Sequence, residues 1–329
     1  MAINGIETII YGVEDVALCT RYFEDFGLPL ASSSDDEAHF RLAEGSNVIV
    51  RALEDAQVPG QALVGYGVQQ VIYGVTSQAE LEELVMKVEV DREVRREADG
   101  AAFFFDDDGI ALGLRVFARR PVWAAPDALN AHDNIQRVNL HRKWRTRAIP
   151  KTIQHVVFTS TDPERGFAFY RDRLNFRASD FQKGFGIFGR ADGTSGHHTM
   201  YWFNASLPFP GLDGKVRFNH TNFGVEDIDE IMVGANYMER KGWPKSNWGL
   251  GRHRIASSLF VYLPCPAGGE AEYGADSDAL DDSWVPRVWH SAFGTASWVS
   301  NIPDFLMDDS PWDISFAPDY VPAPSSSDH

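Results

Sequence analysis

Two histidines and a carboxylate, His155, His220 and Glu272, each lie at the matching end of a strand-like segment: Ile153–Phe158, Phe218–Phe223 and Gly269–Tyr273. Two imidazoles and one carboxylate brought by separate strands form the donor set of an open-sided non-haem Fe(II) centre, which leaves coordination positions free for oxygen chemistry. Any one of these histidines alone is more often a hydrogen-bonded structural residue; the joint pattern is what points to a metal. Glu270 shares a face with Glu272 by strand alternation and competes with it for the carboxylate position.

The elements that must carry these residues repeat along the chain. Ile6–Asp15 aligns without gaps on Ile153–Asp162, and Val68–Val75 on Phe218–Val225. Four modules emerge, beginning near residues 4, 66, 151 and 216. Each opens with an apolar strand, then a loop whose Asp or Ser can cap a helix, as in Asp162-Pro163. The helix that follows, Glu164 to Leu174, places Phe167, Tyr170 and Leu174 on one face. Short alternating segments come next, such as Phe185–Phe188, Thr199–Phe203 and Leu259–Leu263. The expected fold class is α+β: two domains, each of two βαβββ modules forming an open-sided mixed β-barrel with helices outside.

The expected boundaries are a non-catalytic domain over residues 1–118, a linker over 119–150, a catalytic metal-binding domain over 151–290, and a C-terminal wrap and disordered tail over 291–329. The linker is locally basic (Arg137, Arg142, Lys143, Arg145, Arg147) and is expected to pack on an acidic neighbour. The last residues, Pro322–His329, have the composition of a disordered tail. The repeat supplies an internal control. Where the second half has His155, His220 and Glu272, the first has Thr8, Gln70 and Gly113. A purely structural role would put similar residues in both halves, so the asymmetry favours function.

Bulk properties exclude several classes. At 329 residues the chain is long enough for two cores, and 44% hydrophobic content is that of a globular protein. A formal net charge of -17 argues against a nucleic-acid partner, since phosphate binding needs a basic surface. Two cysteines, Cys19 and Cys265, cannot make a disulfide framework and read as small buried hydrophobes of a reducing cytoplasm. No signal peptide and no bilayer-length apolar run stands out, so neither export nor a membrane is expected.

Gly251-Arg252-His253, Phe260–Tyr262, Pro266–Gly268, Glu272–Gly274 and Gly196-His197-His198-Thr199 together resemble the type I extradiol ring-cleavage dioxygenases of the vicinal oxygen chelate (glyoxalase, bleomycin resistance and dioxygenase) superfamily. The resemblance spans roughly residues 4 to 290, with its specific motifs in the second half. It implies a metal-free first domain and, in the second, His155, His220 and Glu272 as iron ligands, which decides for Glu272 over Glu270. It makes His198 the acid/base and puts His253 and Tyr262 beside substrate. Strand alternation allows only one of His197 and His198 into the pocket. Two features depart from the pattern: Ala256 stands where a polar residue is common, and Pro208–Gly214 looks inserted. The implied function is Fe(II)-dependent cleavage of a catechol-type ring beside its two hydroxyls, with Mn(II) as the other candidate ion and O2 as co-substrate, in a homo-oligomer. Two other classes share the scaffold: glyoxalase-like metal isomerases or lyases, which take a fourth protein ligand, and non-catalytic ligand-binding members.

Overall fold

The computed structural model describes residues 2–307 and 311–318; the predicted disordered stretch 322–329 lies outside them. The four modules follow one plan. The first runs through β1 (Ile3–Val13), α1 (Val16–Phe26), β2 (Leu30–Ser33), β3 (Glu37–Arg41) and β4 (Asn47–Ala52), ending in the single turn α2 (Leu53–Ala56). The second comprises β5 (Gly67–Val75), α3 (Gln78–Val88), β6 (Arg95–Arg96), β7 (Ala102–Phe105) and β8 (Ala111–Val116). The third comprises β9 (Thr152–Ser160), α4 (Pro163–Leu174), β10 (Arg177–Gln182), β11 (Gly186–Arg190) and β12 (Met200–Asn204). The fourth comprises β13 (Phe218–Gly224), α5 (Ile228–Arg240), β14 (Gly251–Arg252), β15 (Leu259–Pro264) and β16 (Glu270–Ala275).

Local sequence explains why each helix starts where it does. Asp15, Ser77, Asp162 and Asp227 each accept a backbone N–H from the first turn of the helix that follows, satisfying one of its free donors. The apolar opening strand of every module is buried between sheet neighbours: β1 lies parallel to β4 and antiparallel to β5, and β9 lies parallel to β12 and antiparallel to β13. The result is an α+β fold with two open mixed sheets, of eight strands (β2-β3-β4-β1-β5-β8-β7-β6) and eleven. The closing strands of each sheet do not meet, so neither is a closed barrel.

The additional strands of the larger sheet come from the Trp-rich tail. β17 (Arg287–Trp289) pairs with β10, and after the short helix α6 (Ser291–Thr295), β18 (Trp298–Val299) pairs with β14 at the opposite margin. β19 (Ile314–Phe316) then lies against β17.

One apolar core is shared by both halves. Phe26 stacks on Tyr273 with ring centres 4.0 Å apart, and the Tyr273 hydroxyl donates to the Phe26 carbonyl at 2.6 Å. Tyr11 donates to Thr221 Oγ1, and Tyr170 to the buried carboxylate of Asp106. The segment between the sheets is irregular and its basic side chains meet acidic ones on α5 and its approach: Arg142 pairs with Asp229, Lys143 with Glu226 at 2.7 Å, and Arg145 with Glu226 and Asp227. Gly27, at φ 107°, ends α1 where the Ala148 carbonyl passes; a Cβ there would lie 2.2 Å from that oxygen, so only glycine lets the segment close on the helix. The same segment exposes Trp123 (90%) and Trp144 (89%).

Candidate metal centre

His155 lies on β9, His220 on β13 and Glu272 on β16, three adjacent strands. In register, His155 faces Asn222, Asn222 faces Glu272, and Glu272 faces Tyr262 on β15, so one row across four strands delivers two of the three donors. His220 sits two residues before Asn222 on the same face of β13. The three donor atoms form a near-equilateral triangle. His155 Nε2 is 3.3 Å from His220 Nε2, and each of these nitrogens is 3.4 Å from Glu272 Oε2. Divalent ions bind imidazole nitrogen and carboxylate oxygen at roughly 2.0–2.2 Å, and a triangle of this size leaves a point at that distance from all three corners. Glu270, paired with His220 across the strands, is outside this cluster.

The electrostatics fit a cation. Burial lowers the pKa of His155 to about 3, with His197 adding to the effect. Burial also lowers His220 to about 3, against the pull of Glu272. Both rings are therefore neutral near pH 7. His220 donates Nδ1–H to Asn219 Oδ1 at 2.7 Å, which leaves the Nε2 lone pair facing the cluster. Glu272 is 1% exposed, and its Oε2 has no hydrogen-bond donor among the described residues. Burial raises its pKa, opposed by His220 and His253. The His220 lone pair and the orphaned carboxylate oxygen converge with His155 Nε2 on one buried space, an arrangement that a cation between them would satisfy.

Further polar residues surround the triangle. The His198 ring lies 3.9 Å, centre to centre, from that of His155, and burial drives its pKa well below the usual histidine range. The structure corrects the expectation that His197 and His198 point to opposite faces. They lie in an irregular loop before β12, where strand alternation does not operate, and their Nδ1 atoms are 3.1 Å apart. His197 also reaches Asp180 Oδ2 on β10 at 3.0 Å, while Asp180 Oδ1 accepts the backbone N–H of Arg287 on β17. On the other side, the Tyr262 ring packs 5.0 Å from His220 and its hydroxyl is 3.0 Å from His253 Nε2. His253 Nδ1 lies 2.6 Å from the Thr295 carbonyl, so it must carry the proton, and Nε2 accepts from Tyr262.

Of the aromatic residues near these motifs, Trp202 is wholly buried in the core against Phe167 and Tyr170, and Trp243 packs on Tyr22 between the halves. Trp248 lies 6.1 Å from the Tyr262 ring. Sequence reasoning missed Asn219, Asp180 and the Thr295 carbonyl. Asn219 is adjacent to His220, a signal that was available; Asp180 and Thr295 reach the site only through tertiary packing.

No family model matches the chain. Metapyrocatechase 2 of Cupriavidus necator is 25% identical over 317 residues, covering 93% of this chain and 92% of its own. An iron-dependent extradiol dioxygenase of Rhodococcus jostii (strain RHA1) is 33% identical over 146 residues, 40% of this chain and 46% of its own. Among solved structures, the Mn(II)-bound glyoxalase from Novosphingobium aromaticivorans has a TM-score of 0.69 at 21% identity, over 94% of this chain and 96% of that one. BphC, a halotolerant catechol dioxygenase, has a TM-score of 0.69 at 18% identity, over 96% and 99%. The fold is that of the vicinal oxygen chelate proteins. Within that class the chain is a homologue of the extradiol dioxygenases.

Proposed function

We propose that the protein is an Fe(II)-dependent dioxygenase that opens a catechol-type or polyhydroxylated aromatic ring beside its two hydroxyls and incorporates both atoms of O2. The observation that carries this reading is the buried triangle of His155, His220 and Glu272 with its unpartnered carboxylate oxygen. These three residues hold the ion, which when bound supplies neighbouring coordination positions for the diol and for O2 and lets electron density pass between them. Two neutral imidazoles and one carboxylate leave a divalent ion with net charge near +1, which attracts a diol that has lost a proton. His198, kept neutral by burial beside His155, takes a proton from a substrate hydroxyl and later returns it. Tyr262, tethered by His253 and packed on His220, borders the substrate space and holds its oxygen in place.

Iron is favoured over manganese by the iron-dependent relative, and the donor set accepts either. Among the described residues no fourth His, Cys or carboxylate offers an atom within 4.8 Å of all three donors, which disfavours the four-ligand glyoxalase-type centre. The exposed tryptophans of the linker support a homo-oligomer. No helix among the described residues is long and apolar enough to cross a membrane; a cytoplasmic location is part of this proposal.

Protein purified anaerobically and loaded with Fe(II) is expected to consume O2 and give a yellow ring-opened product from at least one member of a catechol panel. An iron-loaded protein that neither takes up O2 nor forms colour with any of them would overturn the reading.

A further inference from the structure

The face of the larger sheet that presents the metal donors also presents a run of aromatic rings. Tyr201 and Phe203 on β12 alternate with the core-buried Trp202, and Tyr201 pairs with Val157, two residues along β9 from His155. Phe188 on β11 pairs with Tyr201 and stacks on it, ring centres 4.0 Å apart. The Phe188 ring lies 5.0 Å from that of His198, and Phe203 lies 5.7 Å from Tyr201, so the run starts at the acid/base and leads away from it.

Three segments outside these strands join the run to the Tyr262 side. Phe209 comes from the stretch 208–214 between β12 and β13, Phe305 from a short turn in the tail, and Trp248 from the loop before β14. Phe209 lies 6.3 Å from Phe203 and 5.0 Å from Phe305; Phe305 lies 5.9 Å from Trp248, which is 6.1 Å from Tyr262. Through His220 and His155 the contacts return to His198 and close a circuit. Among the described residues no ring contact crosses it, so the rings surround a space instead of filling it. The tail is tied to the Trp248 loop, with Asn301 N–H donating to the Trp248 carbonyl at 2.9 Å and Ser300 N–H to that of Leu250 at 2.8 Å. Phe188, Phe203, Phe209, Phe305 and Trp248 are all half-buried. Each keeps apolar surface that the fold does not cover, and none carries a charge. An apolar group among them removes that surface from water.

We propose that Phe209 and Phe305 are specificity-determining residues, forming the far wall of the substrate space and selecting a diol that carries an apolar substituent, an aryl group above all. The inference rests on the ring-opening reading for the position of the diol. With the two hydroxyls at the triangle, the substituent extends toward Phe203, Phe209 and Phe305 and packs on their rings. A carboxylate in its place meets no cation among these rings to offset the hydration it loses.

Anaerobic calorimetric titration of the full-length Fe(II)-loaded protein with catechol, 3-phenylcatechol, 4-phenylcatechol and 3,4-dihydroxybenzoate tests it without turnover. At least one phenylcatechol should bind roughly 10–100-fold more tightly than catechol, and the carboxylate more weakly than either phenylcatechol. Phe209→Ala and Phe305→Ala, on separate segments, should each lower the ratio of phenylcatechol to catechol affinity by roughly 5–10-fold, and Phe305→Leu should restore most of it. Equal loss for both ligands would make these rings supports of the fold alone and overturn the proposal, as would a parent that binds catechol as tightly as both phenylcatechols. Adding O2 separates the two readings. A protein that opens catechol without preferring the aryl diols loses this inference and remains a dioxygenase. One that prefers them and opens no ring keeps the aromatic wall and loses the reaction, and one that binds no diol loses both.

Discussion

The Nδ1 atoms of His197 and His198 lie 3.1 Å apart, so one of these two rings donates to the other. Asp180 decides which. Its Oδ1 accepts the Arg287 N–H, and its Oδ2 accepts Nε2–H of His197. That leaves His197 with a bare Nδ1, which accepts Nδ1–H from His198, and His198 with a bare Nε2. A base needs that lone pair.

Asp180→Asn offers His197 an amide donor in place of an acceptor and invites both rings to exchange tautomers. The expected outcome is a kcat lowered by roughly 10²-fold or more, the scale of losing a general base, with KM and iron content near those of the parent. Steady-state kinetics beside metal analysis checks it. A variant with unchanged kcat would show that the Asp180–His197 contact does not set the state of His198.

The choice between the two strand carboxylates is open to direct measurement. Glu272→Gln should purify without iron and be inactive, whereas Glu270→Gln should retain iron, because only Glu272 Oε2 lies 3.4 Å from both histidines. Asn219→Ala, which frees His220 Nδ1, is expected to weaken metal affinity by roughly 10–100-fold, as losses of ligand-orienting partners do. Competition with a chelator reads all three.

Tyr262→Phe keeps the ring that packs on His220 and leaves His253 Nε2 without its donor. The iron should stay, while kcat falls by roughly 10–100-fold for loss of one positioned oxygen at the site. A kcat equal to the parent's would make Tyr262 a packing residue alone.

Far from the metal, Asp106 supplies a pH test. It is buried at the junction of the halves, and burial is the largest cause of a pKa raised from 3.8 to about 7. The folded protein thus holds a proton that the unfolded chain releases between about pH 4 and pH 7. Its contribution to stability is present in full below that window and is lost as pH rises through it. Asp106→Asn should abolish this component. The difference in unfolding free energy between parent and variant should shift by up to about 4 kcal/mol across the window, at 1.36 kcal/mol per unit. Denaturant melts at pH 4.5 and 7.5 measure it, and a difference independent of pH would contradict it.

The repeated module was legible because it is built from local signals. Asp15, Ser77, Asp162 and Asp227 mark four helix starts, and the alignment of Ile6–Asp15 with Ile153–Asp162 puts Thr8 at the position of His155, as the strand register also does. Other features were not legible because they depend on contacts between residues distant in sequence. Nothing in Arg177–Gln182 announces that Asp180 will meet a histidine 17 residues later. Alternation does not operate at His197 and His198, which lie in a loop, although His198 is the one whose ring packs on His155. The tail reads as Trp-rich wrapping, yet strands of two or three residues carry too little pattern to reveal that they extend a sheet.

That tail has a consequence for how the molecule is made. Arg287 fastens Asp180 on one flank, and Thr295 fastens His253 on the other, within a stretch that also seals both margins of the larger sheet. Both anchors are translated only after the strands and histidines that they fasten. A nascent or trimmed copy ending before residue 287 would have two raw edges and loosened histidines, leaving it prone to stick to its neighbours and idle as a catalyst.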